Sequence, residues 1–156
     1  MNIQERIEAL ETEFAEKIKA LKAEMHKENE FPQFGDDYWY VDSDTEVMDT
    51  ASYDGEYDQG RLSIGNVFKT KDEAEFQVEK LKVEAELRKF SRPFKGEDNN
   101  YYIEIYLPDK KLSIDRSEFF KTQGTIYFES RKVANEAIDA VGADRIKKYL
   151  FGVEDL

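Results

Sequence analysis

Residues Lys71–Phe90, KDEAEFQVEKLKVEAELRKF, contain no Gly or Pro and are dense in good helix formers. Thr70 with Glu73 supplies the T-x-x-E capping box that opens such a helix. At ~100° per residue, Ala74, Val78, Leu81 and Ala85 fall on one stripe. Phe76, Val83, Leu87 and Phe90 fall on another, almost opposite. A surface helix needs one apolar stripe. Two stripes predict a helix covered on two sides, with other elements arranged around it. The second stripe leaves three coverings open: an N-terminal helix, the other half of the chain, or a second chain.

Residues 2–29 also read as a helix. Ile3, Ile7, Leu10, Phe14, Ile18, Leu21 and Met25 recur in steps of 4, 3, 4, 4, 3 and 4. The pattern repeats every eleven residues, at ~3.67 per turn, close to a straight helix. Its apolar face suits packing on its own domain or self-association, and Ile3, Ile7, Leu10, Phe14, Ile18 and Leu21 are the self-association candidates. The net acidic polar face argues against an anionic membrane surface. Residues 29–37, NEFPQFGDD, carry Pro and Gly and no periodicity, so they mark the boundary of this arm.

Beyond the arm, β-rich segments precede each of two capped helices. Tyr38–Val41, Thr45–Ala51 and Arg61–Phe68 read as strands, with Asp42-Ser43-Asp44 as a turn. Tyr101–Leu107, Leu112–Phe120 and Thr125–Phe128 read likewise. Ser130 caps a helix to about Val141, Gly142 stops it, and a short helix follows over Asp144–Phe151. The halves echo each other. Phe68, Thr70, Lys71, Ala74 and Val78 align with Phe128, Ser130, Arg131, Ala134 and Ile138 at an offset of 60. The expected fold class is α+β: an N-terminal amphipathic helix (1–30) followed by two similar antiparallel sheet-plus-helix (βββα) units, 31–95 and 96–156, the second ending in the short helix.

Charge narrows the classes of partner. The net charge is −12, and residues 31–60 hold nine acids and no Lys or Arg. Binding nucleic acid directly requires neutralising phosphates with cations, which disfavours that partner. The acids Asp36, Asp37, Asp42, Asp44, Glu46, Asp49, Asp54, Glu56 and Asp58 are interleaved with Trp39 and several Tyr. They form the candidate partner-binding surface, suited to a basic protein, with aromatic anchors. The competing reading is that the acids are solvated loop residues and the aromatics are core.

Catalytic motifs are missing from the sequence. There is no Cys, so no thiol nucleophile and no thiolate zinc site. His26 is the single His, which nearly excludes His-based metal sites and bases. Asp42-Ser43-Asp44-Thr45-Glu46 begins like a calcium loop, but Val47 and Tyr53 stand where Gly and Glu are required. No phosphate-binding glycine motif occurs. The expectation is a non-enzymatic, cytoplasmic protein with no cofactor, no metal and no membrane span.

FKTKDEAEFQVEKLKVEAELRKF, NNYYIEIY and GTIYFESRKVANEAIDAVGADRIKKYLFGVE resemble a group of small acidic proteins of Firmicutes phages and mobile elements, over roughly residues 36–154. The resemblance implies an accessory role against host defence, such as an anti-CRISPR or anti-restriction inhibitor of a nucleic-acid-handling host enzyme. It assigns no site residue. A self-associating structural or adaptor protein using the N-terminal helix is the alternative.

Overall fold

The computed structural model describes residues 2–28, 30–50 and 52–154. The expected ends of the first helix at Asn29 and of the second strand at Ala51 lie outside those residues. The chain is α+β, with a long N-terminal helix and two small two-stranded antiparallel sheets. By contact it divides into Met1–Tyr40 with Met48–Lys69, and Val41–Val47 with Thr70–Leu156.

The first unit holds α1 (Ile3–Glu28) and α2 (Gln59–Ser63). α1 opens on an asparagine box. The Asn2 Oδ1 accepts from the Glu5 N–H at 2.8 Å, and the Glu5 carboxylate accepts from the Asn2 N–H at 2.8 Å. β1 (Tyr38–Val41) and β2 (Val47–Thr50) form the first sheet, and the turn between them groups with the second unit. The expected strand Arg61–Phe68 is not formed. Its first residues close α2, and Gly65, at φ 72°, ends that turn in the left-handed region that Gly tolerates. What remains of the strand is one antiparallel bridge. Trp39 and Phe68 exchange both N–H···O bonds at 2.8 Å.

The second unit is built on α3 (Lys71–Arg88), β3 (Asn100–Tyr106), β4 (Lys111–Ser117), α4 (Arg131–Val141) and α5 (Ala143–Phe151). The capping box of α3 is present as the sequence predicts, with Thr70 and Glu73 bonded reciprocally. β3 and β4 pair antiparallel from Asn100↔Ser117 to Tyr106↔Lys111. Here too a third strand reduces to one bridge, between Tyr101 and Phe128. Ser130 then caps α4 by accepting from the Val133 N–H at 3.2 Å. Gly142, at φ 99°, donates to the Ile138 carbonyl at 2.8 Å and turns the chain directly into α5.

The core of this unit gathers Val83, Leu87, Ile114, Phe128, Ala134, Ala137, Val141 and Ile146. The second stripe of α3 therefore faces the later half of the chain, one of the three coverings left open. Phe76 joins it by packing on the Tyr149 ring, centroids 5.2 Å apart. α3, expected with the preceding strands, groups with the following ones. The first stripe is buried only in part: Ala74 and Val78 are enclosed, whereas Leu81 and Ala85 are exposed. An ion pair adds to the α3–α5 contact. Arg145 donates from Nη1 and Nη2 to the two carboxylate oxygens of Glu86, at 3.0 and 3.1 Å.

Candidate functional site

Every described residue of α1 from Ile3 to Lys27 is exposed. Ile3, Ile7, Leu10, Phe14, Ile18, Leu21 and Met25 are 45–76% accessible, although the eleven-residue repeat places them on one stripe. Own-domain packing, the bland reading of that stripe, is not what holds the helix. Its visible support is local. The N-terminal box opens it, Gln4 donates to Glu8, and Lys17 pairs with Glu13 at 2.5 Å one turn back. At the other end the Gln33 side-chain amide donates to the Lys27 carbonyl at 3.1 Å. His26 is exposed among charged neighbours.

The acids of residues 36–58 are placed unequally. Asp37, Asp44, Glu46, Asp49 and Glu56 are exposed. Asp36 is half-buried and accepts from the Gln33 N–H at 2.8 Å. Asp42 shapes the hairpin turn: its Oδ1 accepts from the N–H groups of Asp44 and Glu46, both at 2.9 Å. Asp54 does the same for Glu56 at 3.0 Å. Asp42, Asp44 and Glu46 thus share the hairpin tip, and Asp54, Glu56 and Asp58 share one loop.

Asp58 is buried and belongs to the interior of the first unit. It accepts from the Asp54 N–H at 2.8 Å and from Arg61 at 3.3 Å. The Asp54 N–H, followed by the Tyr38 hydroxyl, holds its carboxyl below the usual range. Arg61 also donates to the Tyr38 hydroxyl at 2.8 Å, and its guanidinium lies 3.6 Å from the Tyr40 ring centroid. Burial, with the Asp58 hydrogen bond second, pushes the Tyr38 hydroxyl up. Tyr38 and Tyr53 are enclosed, with rings edge-on at 6.1 Å. Trp39 is half-buried, its backbone engaged with Phe68. The aromatics of this stretch are largely interior residues, while Tyr57 projects into solvent.

Among the clefts of the second unit, one of about 340 Å³ has an apolar wall. Leu87, Ile103, Ile126, Phe128, Leu150 and Phe151 form its apolar wall, and Lys80, Glu84, Gln123 and Thr125 its polar edge. None of the groups with a displaced pKa lines it. Among the described residues, no three His, Asp or Glu side chains gather to hold a metal ion. No described helix is long and apolar enough to cross a membrane.

Two positions carry structure that the sequence pattern does not mark. Asn100, which closes the turn-type stretch SRPFKGEDNN, is fully buried and bonded on both sides of its amide. Arg61, read as a strand residue, organises the Tyr38–Asp58 interior. The one sequence signal at Arg61 is its place as the first Lys or Arg after Lys27, thirty-three residues without one. No family model, no curated protein and no solved structure matches this chain.

Proposed function

We propose that this protein is a non-enzymatic protein-binding module that assembles through α1. The observation that carries this reading is the stripe of seven large apolar side chains, all exposed on one helix. Burying each contributes ~1.5–3 kcal/mol, so the stripe withholds roughly 10 kcal/mol of transfer free energy or more while α1 is solvated. A helix without tertiary packing is also only marginally stable in water. Both terms favour occupation of the seam by protein. A membrane is the poorer occupant, because residues 2–28 carry seven acids against five bases. The non-enzymatic part is supported by the displaced ionisations, which are accounted for by ion pairs, hydrogen bonds and burial within the fold.

Sedimentation velocity of the full chain tests the assembly reading. The wild-type protein should sediment above monomer mass, and a Leu10→Glu, Ile18→Glu variant should be monomeric with unchanged β3–β4 structure. A wild-type monomer across the accessible concentration range refutes it.

The exposed acids favour a second reading for the body, as an acidic surface for a basic partner such as a nucleic-acid-handling host enzyme. Asp37, Asp44, Glu46, Asp49 and Glu56 all face solvent in a stretch without Lys or Arg. Binding to such an enzyme should then weaken steeply with salt and fall on replacing Asp44, Glu46 and Asp49 with Asn, Gln and Asn. Unchanged affinity in that variant rejects the surface.

We also propose that the two halves derive from one unit, a hairpin followed by a bridge residue and a capped helix. Support comes from the Trp39–Phe68 and Tyr101–Phe128 bridges, each two residues ahead of a capping Thr or Ser.

A further inference from the structure

We infer that the occupant of the α1 seam is a second copy of this chain, docked antiparallel with the two-fold axis at Phe14. The inference rests on α1 being the assembly element proposed above and adds its partner, direction and register. The seam is a palindrome: its steps run 4, 3, 4 from Ile3 to Phe14 and 4, 3, 4 from Phe14 to Met25. In an antiparallel pair centred there, the residue numbers that stand level sum to 28. Phe14 then meets Phe14, Leu10 meets Ile18, Ile7 meets Leu21 and Ile3 meets Met25. Each of these side chains is exposed on the single chain.

Charge selects direction. Residues 2–16 hold five Glu against Arg6, a net −4, and residues 17–28 hold four Lys against Glu24 and Glu28, a net +2. An antiparallel pair sets the acidic half against the basic half, and a parallel pair sets like against like. The borders of the seam agree. Eleven residues in three turns place Arg6, Glu13, Lys17 and Glu24 along one border and Glu11 and Lys22 along the other. An antiparallel two-fold brings each border against its own copy. Glu13 then lies two residues, ~3 Å along the axis, from Lys17 of the second copy. Glu24 stands in the same relation to Arg6, so both pairs on that border are opposite in sign. In a parallel pair the two borders face each other, and Glu11 meets Glu13.

The chain has no Cys, so nitroxide labels on single-cysteine variants of the full protein read this geometry by pulsed dipolar spectroscopy. A label at Ala15→Cys reports association: the level positions differ by two residues, and with helix axes roughly 10 Å apart the two labels stay within about 20 Å. A label at Gln4→Cys reports direction. Twenty residues separate the level positions, which predicts roughly 30 Å in the antiparallel pair. Short Ala15 and long Gln4 distances support the inference. Short distances at both overturn the antiparallel docking while leaving assembly through α1 in place. A long Ala15 distance overturns the register. Monomer mass with no dipolar coupling at either position overturns both the inference and the assembly reading. Phe14→Glu, which puts two carboxylates on the two-fold axis, should raise the dissociation constant at least a hundredfold; an unchanged value overturns the placement of the axis.

Discussion

Asn100 offers the sharpest test of how the second unit is held together. Its side chain is fully buried and makes five hydrogen bonds. Oδ1 accepts from Arg92 Nη1 at 2.9 Å and from the Lys95 N–H at 2.8 Å. Nδ2 donates to the carbonyls of Lys95 and Asp98 at 2.8 Å and of Ser117 at 3.0 Å. One amide thus fastens the loop after α3 to the first rung of the β3–β4 sheet. Asn100→Leu keeps the branched shape, adds bulk and removes all five bonds. It takes their side-chain partner from one backbone donor and from the carbonyls of Asp98 and Ser117, each costing about 1–3 kcal/mol where water cannot reach, while the Lys95 carbonyl keeps its bond from the Asp98 N–H at 3.3 Å. Arg92 is only half-buried and keeps its bond to the Asn99 carbonyl at 2.8 Å, so its share is small. With partial relief by water at the loop, the expected loss is about 3–5 kcal/mol. Asn100→Asp retains the acceptor side but replaces the donating group with an oxygen facing three carbonyls. It should lose about 3 kcal/mol or more at neutral pH. Urea unfolding followed by far-UV circular dichroism measures both, through a shift of midpoint at constant slope. A loss below about 1 kcal/mol for Asn100→Leu would mean that the network contributes nothing net, and the reasoning fails.

The two helix caps should behave alike under the same assay. Thr70→Ala removes a reciprocal box and Ser130→Ala a single bond, and each should cost about 1 kcal/mol; two neutral substitutions would show that the caps are incidental. The Glu86–Arg145 pair predicts a pH effect. The Arg145 hydrogen bond comes first among the causes that hold the Glu86 carboxyl below its ordinary value of 4.5. The unfolded chain therefore binds this proton at higher pH than the folded one. The stabilisation is complete above about pH 4.5 and is lost as pH falls through the lower folded value. Both side chains are about a third exposed, so solvent screening keeps the contribution at ~1 kcal/mol or less. Arg145→Met should flatten the acid limb of stability against pH; superimposable limbs would exclude the pair as a contributor.

Local signals in the chain were the legible ones. The caps at Thr70 and Ser130, the Gly142 break and the Asp42 turn each depend on residues within four positions, and each is found where the pattern puts it. The hairpin β3–β4 was legible for the same reason, since Tyr101–Leu107 alternates and Pro108–Lys111 turns. Long-range pairing was not. Arg61–Phe68 and Thr125–Phe128 have strand composition, yet each pairs through one residue, because how far a third strand extends is decided by register and neighbours rather than by propensity. Asn100 was hidden because Asn-Asn after Gly-Glu-Asp reads as turn chemistry. Its burial depends on Arg92, Lys95 and Ser117 converging, which spacing does not reveal. The acidic stretch was legible as charge only. That Asp42 and Asp54 bond to backbone N–H groups, and that Asp58 lies inside with Arg61, follows from backbone geometry.

Net charge bears on the direction of α1 pairing as well as on solubility. Residues 2–28 carry −2, so of the total of −12 the remaining chain carries −10. That remainder leaves α1 at its C-terminal end. In a parallel pair the two remainders would emerge side by side, where like charges repel most. In an antiparallel pair they emerge at opposite ends of a helix of 26 residues, ~39 Å apart along the axis. The screening length at physiological ionic strength is ~8 Å, so repulsion at that separation is nearly gone. Lowering the salt distinguishes the cases. It strengthens the Glu–Lys borders of an antiparallel seam while adding little repulsion, so association should hold or tighten. For a parallel pair it brings back the repulsion between the acidic remainders, and association should weaken. A dissociation constant that rises on moving from physiological to low ionic strength would therefore count against the antiparallel seam independently of any distance measurement.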